Sequence, residues 1–160
     1  MTTRTMAIRT LLLAVALIAG ACDGGNTVEG TEATEGTGTA PVSNACPANG
    51  CAIRILEVTR EGDELNITWE ANFAPDVSRN HIHVYWDTFT ADQVSSDAEA
   101  RGVTQGEWVP TDAFPSYVTE SEVSVANRGA STTVCVTAGD RDHAVLDSTI
   151  VDCRDVADQL

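Results

Sequence analysis

Asn80-His-Ile-His-Val-Tyr-Trp-Asp87 alternates strictly along its length. In an extended chain Ile82, Val84 and Trp86 project to one side, and His81, His83, Tyr85 and Asp87 to the other. A period of two in β-branched and aromatic residues reads as a strand with one buried face. Trp86 is the largest apolar group such a strand can bury, so the core is expected to form around it. The opposite face carries two of the chain's three histidines and is expected to be the wetter one.

The neighbouring segments carry the same signal. Leu65, Ile67, Trp69, Ala71 and Phe73 alternate with Glu64, Asn66, Thr68, Glu70 and Asn72, a second strand with one face in water. Ala52–Arg60 holds Ile53, Ile55, Leu56 and Val58, and its change of parity at Leu56 predicts either a bulge or a doubly buried strand. Glu61-Gly-Asp63 turns the chain between these two. Downstream, Thr90-Ala-Asp-Gln93 has the form of a capping box and Arg101-Gly102 of a helix end, predicting one short acidic helix. Trp108-Val109 predicts a short strand interrupted by Pro110 and Pro115. Further strands are expected over Val118–Ala126, Thr132–Ala138 and Val145–Val151, with turns at Asn127-Arg-Gly129 and Gly139-Asp-Arg-Asp-His143. The polar tail 154–160 is expected to fray.

About seven short strands separated by turn signals predict an all-β, antiparallel two-sheet sandwich. The second, third, sixth and seventh strands resemble strands B, C, F and G of an immunoglobulin-like domain, with Trp86 where strand C keeps its tryptophan. The resemblance spans Cys51–Cys153 and is one of pattern. Strand B has no cysteine to meet Cys135, so the inter-sheet disulfide of that family is not expected.

The N-terminus predicts the compartment. Arg4 and Arg9 precede the apolar run Leu11–Ile18, which ends in Ala19-Gly20-Ala21-Cys22. A basic region, a short apolar region and small residues before a cleavage site form a secretory signal peptide, read over 1–21. At roughly 12 residues, Leu11–Cys22 is too short to span a bilayer. Ala-Gly-Ala-Cys resembles the lipobox of bacterial lipoproteins, with Ala19 where leucine is commonest. That resemblance implies a lipid on Cys22 and an extracytoplasmic protein anchored to the cell membrane or outer membrane. Residues 22–45 follow as an acidic Gly/Thr/Glu linker, too poor in apolar side chains to offset its ordering entropy. The folded domain is expected over 46–153.

The five cysteines are an odd number, and lipidation of Cys22 leaves four for two disulfides in an oxidising compartment. Four allow three pairings. Cys46-Pro-Ala-Asn-Gly-Cys51 is turn chemistry that brings its ends together. In the immunoglobulin-like topology Cys51 and Cys153 fall about a strand length apart, roughly 17–20 Å, beyond the reach of about 7 Å. Cys46–Cys51 and Cys135–Cys153 is therefore the expected pairing.

Charge excludes one class of partner. Without Arg4 and Arg9 the chain carries 24 acidic residues against seven basic, a net charge of −17. Such a surface repels nucleic acid and anionic head groups. All nine basic residues are arginine.

Three sets of residues offer chemistry. In the sandwich topology the loops ahead of strands C and G share one end, which would gather His81, His83 and His143 beside Asp140 and Asp142. Imidazoles suit Zn²⁺ or Cu²⁺, and His-x-His along a strand points both rings to one face. Surface histidines that only hydrogen-bond their neighbours give the same pattern. Gly139–His143 alternates carboxylates but lacks the further ligands of a calcium loop, and Arg141 opposes a cation. Trp108, Phe114 and Tyr117 flank the prolines and, if exposed together, would stack on a carbohydrate or a partner protein; otherwise they are packing residues. No nucleophile elbow, zinc-protease helix or phosphate loop is present. The chain is thus expected to be a membrane-anchored binding or structural module, not an enzyme. A metal-binding protein using the three histidines is the alternative, and a hydrolase the third reading.

Overall fold

The computed structural model describes residues 43–160. The expected signal peptide, Cys22 and nearly all of the 22–45 linker lie outside the described residues.

Seven strands form two antiparallel sheets: β1 (Ile53–Glu61), β2 (Glu64–Ala71), β3 (His81–Trp86), β4 (Val109–Thr111), β5 (Ser116–Val118), β6 (Thr133–Gly139) and β7 (Val151–Asp155). One sheet has the order β1-β2-β5 and the other β4-β3-β6-β7. This is a β-sandwich, with strand neighbours in the order A-B-E and C′-C-F-G of an immunoglobulin-like domain. The β1–β2 register shifts between Ile55 and Glu57, so Leu56 bulges outward and is exposed.

The core forms on the inner faces. Ile53, Ile55, Leu65, Ile67 and Trp69 from one sheet meet Ile82, Val84, Trp86, Val134 and Val136 from the other. Each such burial is worth about 1.5–3 kcal/mol, and truncating Ile67 to alanine would cost about 2–5 kcal/mol. Both expected disulfides are present. Cys46–Cys51 closes the entry turn, and Cys135–Cys153 joins directly opposed residues of β6 and β7.

Four expectations are corrected. Residues 90–101 form turns and a single 3-10 turn at Glu99–Arg101. The capping box does close, Gln93 Oε1 accepting from the Thr90 N–H at 2.9 Å. The helix stops because Ser95 and Ser96 bond elsewhere: the Ser95 hydroxyl donates to Asp97 and accepts from the Val145 N–H, while the Ser96 N–H donates to the His143 carbonyl. The fifth strand is only Ser116–Val118. Beyond it the chain wraps the Glu64 carboxylate, which accepts from the Thr119 and Ser124 hydroxyls and the Val125 N–H. The seventh strand is displaced to Val151–Asp155, because an Asx turn at Asp147–Thr149 interrupts the expected segment. The tail does not fray: Val156 is buried and Ala157–Gln159 forms a 3-10 turn.

A fifth correction places the site. The outer face of β3 is not wet, and all six of its residues are buried. The connection after β3 folds back over that face, so Phe89, Val94 and Trp108 pack with Tyr85, Cys135 and Val145 into a second apolar cluster.

Candidate metal centre

His81 and His83 rise from β3 on this covered outer face, and both are 0% exposed. Across the ladder they face Gly139 and Thr137 of β6. His143 arrives from the turn after β6, held at a left-handed φ of 61° that a non-glycine residue seldom adopts. The Asp140 carboxylate pins this turn by accepting from the Asp142 and Ala144 N–H groups at 2.9 and 3.0 Å. That carboxylate is thus committed to the backbone, in keeping with the rejection of a calcium loop.

The three rings converge. His81 Nε2 lies 3.1 Å from His83 Nε2 and 3.0 Å from His143 Nδ1. All three nitrogens fall within 4.8 Å of one another. Four-coordinate zinc with Zn–N bonds of about 2.0–2.1 Å sets its ligand nitrogens about 3.3 Å apart.

Hydrogen bonding behind the rings assigns their tautomers. His83 Nδ1 is 2.7 Å from the Val94 carbonyl and His81 Nδ1 is 3.3 Å from the Arg79 carbonyl. A carbonyl only accepts, so each Nδ1 carries the proton and each Nε2 presents a bare lone pair. Two lone pairs facing each other at 3.1 Å repel, and a cation bound between them relieves this. A backbone carbonyl behind each ring is also the arrangement that orients metal-ligating histidines.

Burial disfavours the charged form of His81 and His83. Burial pushes His83 down to about 3, against which the Val94 hydrogen bond is too weak. Burial, then the nearby His143, lowers His81. Neutral imidazole is the coordinating form.

No protein-family model, curated protein or solved structure matches this chain. Its site is therefore read from its own chemistry.

Trp108 stacks on the outer side of His83, with ring centroids 5.4 Å apart and planes at 28°. Beside it a pocket of about 270 Å³ is lined by Trp108, Pro110, Glu107, Glu122 and His143, among others. Trp108, Phe114 and Tyr117 do not share one exposed surface. Tyr117 is buried and stacks on Trp69 in the core, and Phe114 is exposed apart from them. Sequence reading misses Gly139, Trp108 as a cover for His83, and the Val94 and Arg79 carbonyls. The register sets Gly139 opposite His81, and the Arg79 carbonyl is only two residues from that histidine, whereas Val94 and Trp108 lie on a connection whose path has no local signature.

Proposed function

We propose that this chain is an extracytoplasmic lipoprotein whose sandwich domain binds one transition-metal ion, Zn²⁺ or Cu²⁺, through His81 Nε2, His83 Nε2 and His143 Nδ1. The observation that carries this reading is the convergence of three imidazole nitrogens within 4.8 Å of one another, His81 Nε2 lying 3.0–3.1 Å from the other two, with the far nitrogens of His81 and His83 committed to backbone carbonyls. Imidazole donors without thiolate or carboxylate suit zinc and copper over calcium or magnesium. The negative surface concentrates cations around the domain. The Ala19-Gly20-Ala21-Cys22 sequence, and the pairing of the other four cysteines with one another, support the lipid anchor.

Calorimetric titration and thermal melts of the full chain with each ion test the reading. One equivalent should bind and raise the melting temperature, the native state gaining about 2.7 kcal/mol at a hundredfold excess over Kd. His143→Ala and His83→Ala should each abolish this. Stabilisation that survives both variants would mean loose binding to surface carboxylates and would sink the proposal.

A further inference from the structure

Resting on that metal reading, we infer that the bound ion keeps one coordination position open toward the Trp108–Glu122 pocket, and that this position takes a neutral nitrogen donor, of imidazole or amine type, in preference to an anion. Among the described residues the donor cluster comprises three side chains, and no cysteine or carboxylate joins it. Zinc and copper sites ordinarily hold at least four ligands, so a three-histidine set leaves a place for an outside donor.

The direction of that place follows from burial. His81 and His83 are sealed, by the sheet beneath and by Val94 and Trp108 above. His143 alone of the three is partly exposed, and it lines the pocket. A ligand reaching the ion from solvent therefore arrives past His143, between the Trp108 indole and Pro110.

The pocket's charge selects what arrives. Glu107 and Glu122 line it, and Asp140 and Asp112 lie close enough to act on His81 through their charge. Arg141, on the same turn as His143, is exposed and paired with Asp142 at 3.5 Å. Three neutral imidazoles leave the ion its full 2+ charge, but these carboxylates offset that charge at the pocket, so an anion gains little from it, while a neutral ring meets the indole and proline.

The test uses the full chain loaded with one equivalent of Cu²⁺, followed by electron paramagnetic resonance and visible absorption. Imidazole and azide are titrated separately, with copper content measured after desalting. Imidazole should shift both spectra with copper retained, at lower concentration than azide. Replacing Glu107 and Glu122 together by glutamine should tighten azide at least about twofold and leave imidazole unchanged. Spectra unmoved by either ligand, or copper lost to imidazole, would overturn the open position while the metal site stood. Azide binding as readily as imidazole would overturn the selectivity. Failure of copper to load at all would instead sink the metal reading itself.

Discussion

Gly139 leaves the space that the His83 imidazole fills: a Cβ at Gly139 would lie 2.3 Å from His83 Nε2 and 2.8 Å from its Cε1. No φ in the left-handed region calls for glycine here, so the ring is the structural reason for it. The atom met first is the one argued to coordinate. Gly139→Ala should push His83 off the position where its Nε2 meets that of His81. We expect metal affinity to fall by at least about tenfold, in the range seen when ligand orientation is lost, with the fold intact. Calorimetry against circular dichroism checks this. Unchanged affinity would mean that His83 does not ligate.

The buried histidines also set the acid stability of the metal-free protein. A histidine lowered in the folded state binds fewer protons there than when unfolded, so stability rises with pH. The His83 contribution is full above about 6.5 and is lost as pH falls toward about 3, and His81 acts in the same direction. The lowered carboxylates, Glu64 and Asp97 among them, have the same sign but act only as pH falls toward and below their ordinary values of 4.5 and 3.8. Between pH 6.5 and 5, His83 should therefore cost up to about 1.4 kcal/mol per pH unit, and His81 adds to the slope in the same direction. Urea unfolding at steps of pH, with metal chelated, measures the slope. His83→Asn, which can still donate to Val94, should flatten it; a slope unchanged in the variant would contradict the burial argument.

Strict alternation made β2 and β3 readable, because period two leaves a strand no second way to bury Trp69 or Trp86. The local disulfide and the bulge at Leu56 were legible for the same reason: each is decided by residues close together in sequence. The 90–101 segment was misread because its capping box is real, yet Ser95 and Ser96 spend their hydrogen bonds on the 143–145 turn. That tertiary choice has no local signature. It also hid the burial of His81 and His83, since the chain that covers them comes from this same segment. The gathering of the three histidines could be foreseen from loop topology, but not the carbonyls that orient them.

The anchor has its own test. Four of the five cysteines pair with one another, so the proposed lipid would fall on Cys22. Cys22→Ser should move the protein from the membrane fraction to the soluble one and remove a diacyl mass from its N-terminal peptide. Wild-type protein found soluble and unlipidated would end the lipoprotein reading.

The two disulfides should differ in worth, and only one should bear on the metal. Cys46–Cys51 spans five positions and Cys135–Cys153 spans 18. Loop-closure entropy then assigns about 2 kcal/mol to the first and about 3 kcal/mol to the second. Cys135 is buried against Tyr85 and Val94, so its replacement also disturbs the cover over the histidines. The longer loop carries His143, whose left-handed backbone is held by its N–H donating to the Asp140 carbonyl, by its carbonyl accepting from the Ser96 N–H, and by the strand pairing on either side. Replacing Cys135 and Cys153 together by alanine should therefore lower stability more than replacing Cys46 and Cys51. It should also weaken metal binding, because His143 then samples positions away from His81, whereas the shorter loop's double variant should bind metal as wild type does. Denaturant unfolding and calorimetry on the two double variants measure both effects. Equal metal affinity in the two would show that β6 and the Asp140 turn position His143 without help from the bridge.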